Sequence, residues 1–309
     1  MRQPYLLISI LCVLSVAACG RRDSHESHGS TRLEFVAALG DTLRINEPPR
    51  RIVSLAPSTT ELVFALGAGD RLVGVTTFCD YPPEAKTKTK VGGFNAISKE
   101  QILAVKPDLI LASRGNSKED LADIRRMGVG TFAIEINSVN DLLTTARTLG
   151  RLLAMNDETN EIIAGWQDTL AQVDSISTII AAKERPRVFF GGTSEPIWSA
   201  APGSYINDIM TRAGGMNVLG AEYTSWPRVD LETLVKLDPD VLIATYHSSP
   251  DRAIILKRLR SSPGWNSLKA VKTGRVIFAD DGMLRPGPRM IQSALHVAEK
   301  LNAFSAATR

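Results

Sequence analysis

Few residues in this sequence are spaced for covalent chemistry. "GGTSEP" (Gly191–Pro196) is glycine-rich but lacks the spacing of either phosphate-binding loop. No Gly-x-Ser-x-Gly elbow occurs, and His247 in "TYHSSPD" is the one loop histidine available as a general base. His247 and His296 are too few for the imidazole-rich sites that zinc or manganese prefers, and His25 and His28 stand in a polar stretch that reads as linker. Tyr81 in "CDYPPEA" offers either a phenolate, a known ligand for haem iron, or a ring packed on the proline that follows it. These patterns argue against a hydrolase or oxidoreductase, and no cofactor or resident metal is expected. What remains is recognition, by exposed carboxylates and by aromatic rings able to stack on an apolar ligand.

One phrase is written twice. "ISKEQILAVKPDLILAS" (Ile97–Ser113) and "VDLETLVKLDPDVLIAT" (Val229–Thr245) align at an offset of 132 residues, sharing a Glu (Glu100, Glu232), a Pro-Asp pair and an Ala. In the first copy Ile102, Leu103 and Val105 form a helical face that starts near Ser98 and stops at Pro107, and "DLILA" is a strand with almost no polar alternation, as buried parallel strands are.

The same alternation fills the chain. "RIVSLA" reads as a strand; "PSTTELVFALGAG" reads as a helix capped by Ser58, Thr59 or Thr60, with Glu61 in its first turn and Gly67 or Gly69 at its end. "RLVGVT", "VGTFAIE", "RVFF", "DVLIAT" and "GRVIFAD" are further strands, interleaved with helices at "SKEDLADIRRMG", "SVNDLLTTARTLGRLL", "SYINDIMTRAGG" (capped by Ser204) and "PRMIQSALHVAEKLNAF", which Pro288 opens. The expected fold class is α/β, with two similar parallel-sheet lobes facing one another.

Between the lobes, Ile162, Trp166, Leu170, Val173, Ile176 and Ile180 recur at three- and four-residue steps. They predict a helix over 157–183, capped by Asn156 or Asp157 and closed by Pro186, that spans roughly 40 Å at 1.5 Å per residue. That length suits a strut joining two lobes, with a ligand cleft between them; the plainer alternative is a long core helix of one domain.

The amino terminus predicts export. Arg2, the apolar "YLLISILCVLSV" and the small residues of "VAAC" have the order of a signal peptide ending in a lipobox, so Cys19 is the expected lipidation site; an ordinary secretory signal is the alternative. Residues 1–18 are then signal peptide, 19–49 anchor, tether and lead-in, 50–155 the first lobe, 156–184 the bridging helix and 185–309 the second lobe. Cys12 leaves with the signal and Cys79 stays alone, a buried small hydrophobe or a ligand contact, so no internal disulfide is expected. With 36 basic and 33 acidic residues, net charge +3 and no long basic run, nucleic acid is not an expected partner.

Two α/β lobes bridged by a long helix behind a lipobox resemble the helical-backbone (class III) substrate-binding proteins of ABC importers, which serve cobalamin, haem and iron–siderophore uptake. "RIVSLAPSTTELVFALG", "VTTFCDYPPEA", "KVGGFNAISKEQILAVKPDLILA" and "SWPRVDLETL" look most like the cobalamin-binding members. The resemblance implies a flat corrin macrocycle held between the lobes, with Phe78, Phe94 and Trp226 at the aromatic positions and Asp281 with Arg285 as a charged pair lining the cleft; Tyr81 is a further candidate contact. It departs from the family where Phe78 and Phe94 replace Tyr and Trp, and where Ser113 stands in place of a further Trp. It also implies that Glu100 and Glu232 dock onto arginines of the two permease subunits, one carboxylate per repeat; the plain alternative is two first-turn glutamates favourable to a helix dipole. The implied protein is a monomer outside the cytoplasm, touching the membrane through its lipid anchor alone. Haem or a ferric siderophore is the alternative cargo, although only Arg285, Arg228 and Arg114 are obvious cleft cations for an anionic chelate.

Overall fold

A computed structural model describes residues 33–180, 185–245 and 252–306. The signal-peptide, lipobox and Cys19 expectations, the His25/His28 tether, His247 and the last residues of the predicted 157–183 helix lie outside the described residues.

The chain opens with an antiparallel ribbon, β1 (Leu33–Val36) and β2 (Thr42–Ile45). It continues through β3 (Ile52–Ser54), α1 (Pro57–Ala65), β4 (Leu72–Val75), α2 (Lys99–Ala104), β5 (Leu109–Ser113), α3 (Lys118–Arg126), β6 (Gly130–Ile134) and α4 (Val139–Leu153). A long α5 (Asn156–Ile179) follows. The second half holds β7 (Arg187–Gly192), β8 (Ile197–Trp198), α6 (Tyr205–Arg212), β9 (Met216–Asn217), β10 (Arg228–Val229), α7 (Leu231–Leu237), β11 (Val241–Thr245), α8 (Arg252–Ser261), α9 (Lys269–Lys272), β12 (Val276–Phe278) and α10 (Met290–Ala306).

Two four-stranded parallel sheets result. The first runs β4-β3-β5-β6 and the second, read from its other edge, β9-β7-β11-β12. The orders correspond strand for strand, with the repeated phrase supplying α2–β5 in one and α7–β11 in the other. The two-lobed parallel α/β architecture predicted from the repeat is therefore the one observed.

The shared Pro-Asp pair has a structural reason. The residue before each proline, Lys106 or Asp238, takes a positive φ (46° and 36°), turning the chain out of the helix and into the strand. The aspartate then latches the start of the neighbouring strand. Asp108 accepts the Arg51 N–H at 3.1 Å and returns its own N–H to the Arg51 carbonyl at 2.9 Å. Asp240 does the same with Arg187, at 2.9 and 2.8 Å. A carboxylate that accepts a backbone N–H here fixes the register of two parallel strands where the ladder begins.

Local signals mostly hold. Ser98, Ser117, Ser138, Ser204 and Asp230 each accept the N–H three residues on. Gly67, at φ 79°, lets the chain leave α1, where Ala68 bonds back to the Val63 carbonyl at 3.0 Å. The α1 start differs from expectation. Ala56 is its cap residue and Pro57 its first turn, while Thr59 and Thr60 turn inward and bond with Ser54 and Cys79, so neither these nor Ser58 serves as a cap. Cys79 is buried, with Thr60 and Thr76 hydroxyls at 3.1 and 3.2 Å. The cap of α5 also moves, to Met155, and Asn156 is already helical.

α5 is 24 residues long, about 36 Å at 1.5 Å per residue. Ile163, Leu170 and Val173 are buried along it, with Ile162, Trp166 and Ile176 half-buried beside them. It packs on α4 from the first half and on α6 and α10 from the second. At Gly150 of α4 a Cβ would come within 2.5 Å of Thr159, so glycine is required for α4 and α5 to approach this closely. One apolar cluster runs from Leu55 and Leu111 through Leu149, Ile163 and Val173 to Ile209, Val241 and Leu301. A second, smaller cluster built on Phe189, Leu242 and Trp265 fills the far side of the second sheet. Each buried aliphatic side chain of α5 contributes about 1.5–3 kcal/mol, whereas the exposed Arg212–Asp174 pair contributes about 0–1 kcal/mol. Burial holds the rod in place. Among the described residues no helix is long and apolar enough to cross a membrane.

Burial pushes the Asp240 carboxyl up, but its bonds to Lys269 and to the Arg187 N–H outweigh that and hold it below the usual range. A depressed carboxylate contributes stability above its unfolded pKa that is lost as pH falls through the folded one. Asp240→Asn is therefore expected to lower unfolding free energy by about 1–2 kcal/mol at neutral pH. In urea titrations the gap to the unsubstituted protein should close as pH falls below about 4; a gap constant with pH would contradict the latch.

Candidate functional site

Glu61 lies one turn into α1, as that helix's one charged residue, with its side chain 2% exposed. A carboxylate so placed is costly unless it is paired and hydrogen-bonded. The partners come from the other end of the sequence. Arg289, just before α10, grips it with both arms, Nε to Oε2 at 2.8 Å and Nη2 to Oε1 at 2.7 Å. Arg285 adds Nη1 to Oε1 at 3.1 Å and reaches Asp80 with the same nitrogen at 2.6 Å. The Arg289 guanidinium also lies 4.2 Å from the Tyr81 ring centre, a stacking cation–π contact. Two carboxylates of the first lobe and two guanidiniums of the second thus form one neutral cluster.

The titration shifts agree with this pairing. The hydrogen bond from Arg285 holds the Asp80 carboxyl below its ordinary value against weak desolvation. The Glu61 bond raises Arg289. For Arg285, burial favours the neutral form, but Asp80 and Glu61 outweigh it and raise the guanidinium overall.

A cavity of about 570 Å³ opens beside Arg285, lined also by Pro57, Phe78, Gly93, Phe94 and Ala96. Phe78 is 59% exposed. Phe94 is held from beneath. Its carbonyl accepts from buried Asn116, whose Nδ2 also reaches the Leu55 carbonyl and whose Oδ1 accepts the Ser113 N–H at 2.8 Å. The Phe94 ring lies over Gly115, where a Cβ would meet it at 2.9 Å. The loop is thereby tied to the ends of β3 and β5, at the carboxyl edge of the first sheet, the usual ligand edge of parallel α/β sheets.

The second lobe carries its own exposed rings. Trp226 packs against buried Tyr205 at 5.5 Å between centroids, and burial raises the Tyr205 phenol well above its ordinary value. Trp198, on β8, pairs across the ribbon with Arg228 on β10, whose guanidinium lies 4.5 Å from its ring.

A second cavity, of about 560 Å³, is lined by Glu61, Phe64, Tyr81, Pro82, Arg289 and Gln292 among others. The ion cluster stands between the two, with Arg285 on the first and Arg289 on the second.

Of the sequence-predicted residues, Phe78, Phe94 and Arg285 come together in one cavity. Tyr81 lines the other, beneath Arg289. Asp281 and Arg285 do not form the expected pair. Asp281 is exposed in its turn, and Arg285 is drawn to the buried Glu61 and to Asp80, where an uncompensated carboxylate is dearer than in water. Arg114 pairs with Glu135. Glu100 and Glu232 each occupy the second position of their helices, α2 and α7, both exposed; Glu232 also accepts from Lys236 one turn on. Among the described residues no group of three or more His, Cys, Asp or Glu side chains is placed to hold a metal ion. Glu61, Asp80, Arg289 and Trp198 were not anticipated. The signal for the first was a lone acid in "TELVFALG", and for the arginines their four-residue spacing in "RPGPR".

Residues 52–282 match the sequence profile of the periplasmic binding protein family. The chain is 28% identical, over 94% of each sequence, to the uncharacterised ABC transporter substrate-binding lipoprotein YvrC of Bacillus subtilis. Among solved structures it is similar to the periplasmic vitamin B12-binding protein BtuF of Vibrio cholerae, with 27% identity and TM-score 0.69, covering 83% of this chain and 98% of that one. It is also similar to the periplasmic haem-binding protein RhuT of Roseiflexus sp. RS-1 in its apo form, with 26% identity and TM-score 0.71, covering 83% and 99%.

Glu61→Ala leaves two half-buried arginines facing a void, and is expected to cost about 3 kcal/mol of unfolding free energy. Chemical denaturation measures it; a loss below about 1 kcal/mol would mean that the cluster behaves as a solvent-relaxed surface pair.

Proposed function

The chain belongs to the periplasmic binding protein family, and on that premise we propose that it captures a corrinoid, cobalamin or a close relative, outside the cytoplasm and delivers it to an ABC importer. The observation that carries the choice of ligand class is the cavity of Phe78, Phe94 and Pro57, apolar walls with one guanidinium at the rim. A bulky ring ligand needs rigid aromatic surface for affinity and a few polar groups for orientation. Trp226 and Trp198 offer matching surface on the second lobe, the first braced by Tyr205 and the second by Arg228. Similarity to BtuF supports the corrinoid reading.

Haem is the second reading, favoured by the likeness to RhuT. Against tyrosinate ligation, Tyr81 lines the other cavity with its ring under Arg289, apart from the Phe78–Phe94 walls. Capture involves no turnover in this reading, and the protein acts as a monomer. Delivery uses the two glutamates that open α2 and α7, because equivalent carboxylates on pseudo-repeated lobes suit a partner with two copies of one basic patch. Cys19 supplies the lipid anchor that keeps the protein at the membrane surface.

Calorimetric titration with cyanocobalamin, haemin and a ferric siderophore in parallel tests the cargo. Cyanocobalamin is expected to bind, and Trp226→Ala to weaken it about 10- to 100-fold, or about 1.4–2.8 kcal/mol; exclusive binding of haemin or the siderophore would replace the corrinoid reading. For delivery, Glu100→Ala combined with Glu232→Ala should abolish uptake in cells while leaving calorimetric affinity unchanged. Uptake that survives the double substitution would remove the docking role.

A further inference from the structure

We infer that Asp80 sets the charge preference of the Phe78–Phe94 cavity through its hold on Arg285, so that a ring ligand bearing an anionic oxygen group, phosphate or carboxylate, takes the open edge of that guanidinium against the charge of Asp80. The inference rests on the reading of this cavity as the ligand site.

Arg285 is held unequally from two sides. Glu61 is buried, already gripped by both arms of Arg289, and cannot withdraw into water. Asp80 is 51% exposed in the "CDYPPEA" loop and can be hydrated at once when released, near the positive charge of Lys86. An exposed ion pair is weak in net terms, because water competes for both partners. Among the described residues, every hydrogen bond of the Arg285 guanidinium leaves from Nη1. Among those residues its Nε–Nη2 edge has no hydrogen-bond partner, and that edge is the fork that matches a carboxylate or phosphate with two parallel bonds.

Charge counting points the same way. Glu61, Asp80, Arg285 and Arg289 balance before a ligand arrives. An incoming anion makes the cluster net negative unless Asp80 moves off, and a neutral ligand imposes no such demand. Asp80 therefore discriminates against anions while holding Arg285 in place for one that binds.

The test compares the unsubstituted protein with Asp80→Asn by calorimetry, using two ligand pairs that differ in the anionic group. One pair is cyanocobalamin and cobinamide, which lacks the phosphodiester; the other is haemin and its dimethyl ester, which lacks free carboxylates. Asp80→Asn is expected to tighten the anionic member of the bound pair about 3- to 5-fold at low ionic strength and to leave the other member unchanged. The gain should shrink in about 0.5 M salt, and Asp80→Glu should restore the original ratio. A gain in the first pair identifies phosphate as the group recognised, and in the second carboxylate. Equal changes in both members of a pair, or none, would overturn the inference while the cavity reading stands. If no member of either pair binds the unsubstituted protein, the cavity reading falls and takes this inference with it.

Discussion

The structure depends on one constraint: neither lobe can complete its core alone. α5 lays Ile163, Leu170 and Val173 into an apolar cluster to which α4 contributes from one side and α6 and α10 from the other. A hinge that opened widely would expose that seam to water at a cost that scales with its area. Polar ties reinforce it where the halves meet, with Asp208 of α6 accepting the Val139 N–H at the start of α4 at 2.7 Å, and Glu61 accepting from Arg285 and Arg289. Lobe motion is confined to small adjustments around a shared core, which is shear rather than hinge closure.

That rigidity determines how a ligand can be held. A binding protein that cannot close far must present its contact surface already formed, and in the proposed reading the exposed rings Phe78, Trp198 and Trp226 supply it. Phe94 is braced by Asn116 and Gly115, Trp226 by Tyr205, and Trp198 by Arg228, so little ordering is left for the moment of binding. Arg285 is pre-oriented in the same way, by the buried carboxylate of Glu61 behind it. The charge cluster thus serves both the lobe seam and the cavity rim.

Much of the architecture was legible in the sequence because it is local and repeated. The phrase around Glu100 and Glu232 carries cap, helix, left-handed exit, proline and latch aspartate within one stretch, and each part has a short-range physical reason. The apolar periodicity of α5 showed its helix but misjudged which neighbours bury deepest, since Ile163 rather than Ile162 faces the core. The site was less legible. Arg285 pairs with Glu61 across 224 residues, and no local pattern encodes that partnership. The resemblance that set Asp281 beside Arg285 named the wrong partner, because it says nothing about which carboxylate is buried. Thr59 and Thr60 misled for the same reason, having the composition of caps and the environment of a core.

A crystal structure of the protein with bound cyanocobalamin tests the central claim most directly. The account predicts the corrin ring against Phe78, Phe94 and Trp226, the Glu61–Arg289 bonds intact, and α5 with its packed neighbours unmoved. A ring seated in the Tyr81 cavity instead, or lobes rotated apart with the Glu61 cluster broken, would contradict it.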